Sequence, residues 1–355
     1  MKYLIEFKPL DRYFFGGEIT FGEGQNSANY YAKSNFMPQA STIIGTLRYE
    51  ILRQKQLLNY ESADSVKDYI GTHSFSIERA LEEENALHKI QYGILSNISP
   101  LFIADKYTGY YTAMPLDYNI KLALGSGKCY YSGKRTEKSI ELEGYDPKTY
   151  NNYQDWVNPS NQKLADVLKQ RYPNEEEQRM LQEVYTISDQ IGIIKDKTNE
   201  EDKNAFFKQQ LITLHPDLSF VCTVETTKPL MTGASVVYMG ANRSMFKMSI
   251  QDTVLNFSSP LSTNYFYDLH QYDRLLLLGD AYITDALKED ALFIWGESNC
   301  FRSINSTIDK KISWTTPNKS PLFHLLPRGS VIYGARIARH LTIKNLQNAG
   351  MNIYL

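Results

Sequence analysis

From Met1 to Lys8 the chain alternates, with Met1, Tyr3, Ile5 and Phe7 on one side and Lys2, Glu6 and Lys8 on the other. A period of two predicts a half-buried strand, and Pro9 ends it because proline cannot donate to a ladder. A helix is predicted from about Ser41 to Leu58. There Ile43, Leu47, Ile51 and Leu58 share a face at 3.6 spacing, while Ser41, Gly45 and Arg48 line another. Strand-like stretches recur at Tyr110–Met114, Ile120–Tyr131, Leu218–Glu225, Ser244–Ile250, Arg274–Ile283 and Ala291–Gly296. Residues 161–208 are polar, acidic and helix-prone, which predicts an insertion or linker. One strand, a long loop, one helix and then more strands fits a βαββαβ unit better than a parallel α/β sheet. The expectation is an α+β protein of tandem ferredoxin-like (RRM-like) domains. The first spans 1–160, a polar helical insertion fills 161–208, and the second spans 209–355.

The predicted loop between strand and helix is the most informative part of the chain. It reads FFGGEITFGEGQNSANYYAKSNFMPQ and leads into the helix start ASTIIGTLRY. Glycines let a backbone approach a ligand closely, aromatic rings offer stacking faces, and a helix N-terminus presents free N–H groups to an anion. Loops of this length are usually functional. Such a segment predicts a nucleic-acid or nucleotide surface made of backbone and rings.

A net charge of −2 argues against a uniformly basic nucleic-acid binder, but the charge is segregated. From Lys310 to Leu355 there are seven Lys/Arg and no acid, and from Gly24 to Tyr49 there are Lys33 and Arg48 without an acid. Acids gather instead at Glu82–Glu84, Glu175–Glu177 and Asp196–Asp202, so one face can still be positive. The 26 Tyr and 16 Phe serve strand packing first and stacking second. Three cysteines, Cys129, Cys222 and Cys300, are too few and scattered for a disulfide framework or zinc cluster. No signal-like segment follows Met1 and no apolar run nears the ~18 residues of a membrane span, so a cytoplasmic protein is expected.

No phosphate loop, Rossmann fingerprint, H-E-x-x-H, C-x-x-C or G-x-S-x-G is present, so no cofactor or metal is expected. A metal-independent ribonuclease would need a general base near the 2′-OH, and His340 beside Arg339 is the residue best placed for that. A lone histidine in a basic segment is more often a surface or phosphate-contacting residue, and that is the reading expected here.

The opening strand is followed by Phe14-Phe15-Gly16-Gly17-Glu18, Thr20-Phe21-Gly22, Asn29-Tyr30-Tyr31, Lys33-Ser34, and Ser41-Thr42 with Gly45, Leu47 and Arg48. This series resembles the third-subunit family of the Cmr ribonucleoprotein effector (type III-B CRISPR), in the RAMP superfamily of RNA-binding proteins. Gln190-Ile191-Gly192-Ile193, Tyr238–Arg243, Leu275–Leu278 and Gly329–Tyr333 follow in the family's order. Ala241 and Asn242 stand where the family has Gly and Glu, so only Arg243 carries over there. The family's C-terminal glycine-rich loop survives only as Gly329 and Gly334. The resemblance implies tandem ferredoxin-like domains, contact with the 5′ tag of the guide RNA, and docking to the large polymerase/cyclase-like subunit beside backbone RAMP subunits. It also implies no catalytic role.

The candidate RNA contacts are therefore Phe15, Gly16, Gly17, Tyr31 and Lys33 in the glycine-rich run, and Ser41, Thr42, Gly45 and Arg48 at the helix start. Arg243, Arg302 and Arg328 are the candidates in the second half. Ser41 serves equally as an N-cap, worth ~1 kcal/mol without any ligand. One of Phe14 and Phe15 is expected in the core. The polar insertion is expected to point away from RNA toward a protein neighbour or solvent, with Tyr172, Tyr185, Phe206 and Phe207 as candidate aromatic anchors, Tyr185 beside Val184 and Ile187 being expected in the core instead. A non-catalytic RNA-binding subunit is the leading expectation. The rivals are a ribonuclease that processes guide precursors through His340 and a scaffold that needs only protein partners.

Overall fold

The computed structural model describes residues 1–21, 30–85, 92–117, 133–135, 140–142, 155–160, 162–173, 179–194, 205–240, 242–255, 273–305, 319–334 and 336–355. The first part of the chain forms β1 (Lys2–Pro9), β2 (Gly16–Phe21), β3 (Tyr30–Ser34), α1 (Ala40–Gln54), α2 (Lys67–Ile70) and α3 (Ile77–Asn85). Then come β4 (Leu95–Ile98), β5 (Phe102–Asp105), β6 (Gly109–Ala113), β7 (Gly133–Arg135), β8 (Ile140–Leu142), β9 (Trp156–Val157) and α4 (Leu164–Arg171). The middle carries β10 (Tyr185–Ile194), β11 (Ala205–Leu214), β12 (Leu218–Thr226), β13 (Gly233–Met239) and β14 (Ser244–Asp252). The last part holds β15 (Asp273–Leu276), β16 (Ala281–Tyr282), α5 (Asp285–Asp290), β17 (Ala291–Trp295) and β18 (Asn299–Phe301). It closes with β19 (Phe323–Leu326), β20 (Val331–Gly334), α6 (Ala338–Leu341) and α7 (Lys344–Gln347).

The alternation at the N-terminus produces the strand it predicts: Tyr3, Ile5 and Phe7 are buried, and the residues between them are half-buried. β1 pairs antiparallel with β12 on one edge and with β14 on the other. It thus sits inside an eight-stranded sheet of order β13-β14-β1-β12-β5-β6-β9, with β4 also on β12. Ile43, Ile44, Leu47 and Ile51 of α1 share one apolar core with Ile5, Phe7, Phe220, Phe246 and Met248 of that sheet. The helix is thus amphipathic as its sequence predicts. It runs Ala40–Gln54 rather than Ser41–Leu58, and Leu58 lies beyond it.

Three expectations are corrected. The glycine-rich run is not simply a loop: β2 and β3 are antiparallel partners, and β3 lies parallel to β11 in a four-stranded sheet of order β10-β11-β3-β2. The 161–208 stretch is not a helical insertion. Among its described residues only α4 and a short 3₁₀ turn at Arg179–Gln182 are helical, and most of the others belong to the ten-residue strands β10 and β11. The polar residues of β10 stay in water, with Asp189 and Gln190 exposed, although Ile187 and Ile191 are exposed as well. The insertion therefore extends the sheet of the glycine run instead of pointing away from it. The boundary near 209 also fails, because β12 and β14 complete the sheet that β1 begins. The segment Ile120–Tyr131 lies outside the described residues.

Residues 273–355 have a core of their own, with Leu275, Leu277, Ile332, Ile337 and Leu341. β20 is the middle of a three-stranded sheet of order β15-β20-β17. Leu355 exchanges two backbone hydrogen bonds with Leu276, of 2.8 and 2.9 Å, which adds the C-terminus beside β15. Two arginines tie this part to the rest. Arg274 grips Asp117 with bonds of 2.7 and 2.6 Å, and Tyr333 donates its hydroxyl to the same carboxylate. Arg328 binds Asp280 and the Leu101 carbonyl, the latter at 3.1 Å. Among the described residues no helix is long and apolar enough to cross a membrane.

The Arg274–Asp117 pair is almost entirely out of water, at 5% and 0% side-chain exposure. Arg274→Met leaves Asp117 as a buried unpaired charge. It should lower the free energy of unfolding by about 3–5 kcal/mol in a urea titration, and a loss below about 1 kcal/mol would contradict the strut role.

Candidate nucleic-acid interface

The glycines of the run are required by the close approach of β2 to β3. A Cβ on Gly17 would lie 2.8 Å from the Lys33 carbonyl oxygen and 3.0 Å from Asn35 Oδ1. Asn35 locks the crossing: its Nδ2 donates to the Gly16 carbonyl at 2.7 Å and its N–H to the Phe15 carbonyl at 2.7 Å. The ladder slips register between Gly16 and Ile19, so the strand bulges there. Gly16 itself is exposed, and a Cβ on it would touch nothing.

The turn joining β13 and β14 closes onto this strand. Gly240 takes a left-handed φ of 72°, and a Cβ there would sit 3.0 Å from the Phe14 carbonyl oxygen. The Phe14 N–H donates to Ser244 Oγ at 3.1 Å, 230 positions away in sequence. Arg243 is exposed on the same turn, with φ 54°, and its guanidinium lies 5.1 Å from the centre of the Tyr238 ring. The run and the Tyr238–Arg243 segment are thereby one locality.

Tyr31 lies on the four-stranded sheet. Lys208 Nζ sits 5.1 Å from its ring centre and pairs with Asp189 at 2.8 Å, a hydrogen bond that raises the lysine pKa. The Tyr31 hydroxyl donates to Asp189 at 3.4 Å and accepts from Gln210 Nε2 at 3.2 Å. Lys33, two residues on along β3, is exposed. Lys208, Asp189 and Gln210 were not among the sequence candidates. Their only signal is the alternation within β10 and β11, and their partners are long-range.

Several predicted contacts fall elsewhere. Both Phe14 and Phe15 are buried, and Phe15 stacks on Phe246 with centroids 5.7 Å apart, so its ring is unavailable to a base. Ser41 is not the N-cap: Gln39 is, without a side-chain cap, and Thr42 uses its carbonyl to accept from Thr46. Ser41 and Thr42 are half-buried in the first turn, while Gly45 is exposed. Arg48 donates to the carbonyls of His73 at 2.9 Å and Gly71 at 3.3 Å. Burial lowers its pKa, with Tyr60 and Tyr92 acting the other way. Its guanidinium holds a loop and is spent there. Arg328 is likewise committed to Asp280 and Leu101, whereas Arg302 is exposed after β18. His340 Nε2 lies 2.7 Å from Asp290, which also binds Arg339 at 2.6 Å. Hydrogen bonds from Arg339 and then His340 hold the Asp290 carboxyl below its usual range.

The chain matches the family described as CRISPR-associated protein (Cas_Cmr3) over residues 5–338, and it belongs to that family. It is thus a Cmr subunit, a component of a type III CRISPR effector. Among solved structures it is similar to a chain of the type III-B Cmr-beta complex bound to cognate target RNA and AMPPnP, determined by cryo-EM. The identity there is 14%, with 94% of this chain and 86% of that chain covered and a TM-score of 0.47. A second cryo-EM structure of Cmr-beta bound to cognate target RNA gives 14% identity, the same coverages and a TM-score of 0.45. A chain of the Csm3–Csm4 subcomplex of the type III-A interference complex gives 11%, coverages of 95% and 94%, and 0.40. No curated protein matches the sequence.

The two adjacent glycines should respond differently to a methyl group. Gly17→Ala collides with backbone and should cost about 1–3 kcal/mol in a denaturant melt, as overpacking does, while Gly16→Ala should be close to neutral. Equal effects at the two positions would contradict the crossing described.

Proposed function

We propose that the protein is a non-catalytic RNA-binding subunit of a type III-B CRISPR effector. In this reading it holds the 5′ tag of the guide RNA at the β2–β3 edge and docks to the large subunit beside backbone RAMP subunits. The observation that carries the proposal is the convergence of Gly16, Gly17 and Lys33 with the Gly240–Arg243 turn. Exposed backbone, two cations and an arginine–tyrosine stack suit phosphates and unpaired bases. Membership of the Cmr subunit family supports the same reading.

The tandem ferredoxin-like architecture is supported by strand order. β14-β1-β12-β5, with α1 after β1, follows the 4-1-3-2 order of a βαββαβ unit whose second helix is replaced by β13. The C-terminal residues beside β15, then β20 and β17, repeat that order, with α5 and α6–α7 in the helix positions. Ile187 and Ile191, exposed on β10, are the contacts we assign to a protein neighbour. Tyr172 is not assigned such a role, and Tyr185 packs against the core as its neighbours suggest. The Tyr172 hydroxyl is bound to Asp217 at 2.6 Å, and the Tyr185 ring packs 4.5 Å from Phe36. Phe206 and Phe207 belong to β11, but their side chains lie outside the described residues.

We propose no catalysis, and His340, held by an Asp290 carboxylate that Arg339 also binds, is the general base that remains to be tested. The purified protein should leave a repeat RNA intact, and cleavage that disappears with His340→Ala would overturn this assignment.

Lys33→Ala combined with Arg243→Ala should weaken binding of a guide RNA. It should also flatten the log–log salt dependence by about 1.4, at ~0.7 per single-strand phosphate contact. An unchanged affinity and slope would remove the interface from the β2–β3 edge. Arg48→Ala should instead lower thermal stability and leave the salt slope as it is.

A further inference from the structure

The face of the main sheet turned away from α1 holds an open groove of about 530 Å³. Its shape follows from one cross-strand row of side chains. Lys247 on β14 stands directly opposite Lys8 on β1. One residue on from the Phe7–Phe220 pair the row continues through Ser219 to Ala104, and then to Tyr110 on β6. Ser219 and Ala104 are small, so the floor dips between the lysines and the tyrosine. Four strand gaps of ~4.8 Å make the row about 19 Å long.

Charge sets the occupant. Like charges directly opposite on a sheet are destabilising, yet neither Lys8 nor Lys247 has an ion-pair partner among the described residues. Two of the three carboxylates lining the groove are neutralised by one arginine, and only Glu6 keeps its charge beside the lysines. Glu6 accepts from Ser219 at 2.8 Å, while Asp105 and Asp217 both bind Arg171. At the rim Tyr107 is 62% exposed, with the Arg171 guanidinium 4.5 Å from its ring centre and Lys106 Nζ at 5.0 Å.

We propose that this groove is a second RNA-binding surface, in which Lys8 and Lys247 hold the sugar–phosphate backbone of a single strand and Tyr107 stacks on one of its bases. The inference rests on the RNA-binding reading but uses a face of the protein separate from the β2–β3 edge. A single strand fits better than an acidic peptide, because paired cations and an exposed aromatic rim match phosphate and base together.

The test uses the full chain and a short fluorescein-labelled single-stranded RNA, titrated at several salt concentrations. Lys8→Ala with Lys247→Ala should weaken binding and lower the salt slope by about 1.4, and Lys8→Arg with Lys247→Arg should retain both. Tyr107→Leu should weaken binding without changing the slope. The Lys33→Ala, Arg243→Ala protein serves as the parallel arm. If that variant loses affinity while Lys8→Ala, Lys247→Ala does not, the groove is overturned and the edge stands. If only the groove variant loses affinity, the groove stands and the edge fails. Unchanged RNA binding by Lys8→Ala, Lys247→Ala with weakened assembly into the effector would assign the groove to an acidic protein partner and overturn the proposal.

Discussion

β1 is hydrogen-bonded along both edges, to β12 on one side and to β14 on the other, and the placement of everything else depends on that double pairing. It brings the N-terminal nine residues against segments more than 200 positions away, and burial on the α1 side fixes its register. A slip of one residue would turn Tyr3, Ile5 and Phe7 into water. Once β14 is pinned, its turn with β13 must close over Phe14. That closure places Arg243 beside the glycine run. The candidate interface is thus a consequence of sheet pairing, not of local loop chemistry.

The arginines show how the same chain separates structure from binding. Arg48, Arg171, Arg274 and Arg328 each face carbonyls or carboxylates inside the protein. A guanidinium has five donors in a fixed fork, which makes it an efficient strut between segments distant in sequence. Two of these struts join residues 273–355 to the rest through Asp117 and Leu101. Lys33, Lys247, Arg243 and Arg302 are among the cations left exposed, and most of these four sit on sheets or their turns. A near-neutral net charge is therefore compatible with binding a polyanion, since Asp105, Asp117, Asp217 and Asp280 are engaged by these struts.

Legibility in the sequence followed the range of the interactions. β1, the apolar stripe of α1, β12 and β14 were readable because periodicity is local and each buries one face. The β10–β11 pair was misread as helical because polar, charged sequence has helix propensity, which the long ladder between the two strands and the pairing of β11 to β3 override. Gly17 and Arg243 were readable as chemistry, but their proximity was not, since it comes from the β14 pairing. Arg48 and Arg328 were expected at RNA but donate to groups inside the protein, a difference hidden because an exposed and a committed arginine look alike in sequence. Phe15 was misassigned for a similar reason: a ring pair beside two glycines gives no sign that both rings face inward. Ser41 lost its predicted cap role to Gln39, two residues earlier.

The central claim is that RNA lies against the β2–β3 edge and the Gly240–Arg243 turn. Ultraviolet crosslinking of the chain, purified with the small RNA it carries, followed by mass spectrometry of the crosslinked peptides, tests this most directly. The account predicts adducts on peptides containing Tyr31–Lys33 and Tyr238–Arg243, formed with nucleotides at the 5′ end of the RNA. Adducts confined to the peptides around Arg48, Arg302 and Arg328, with none on those two segments, would contradict it.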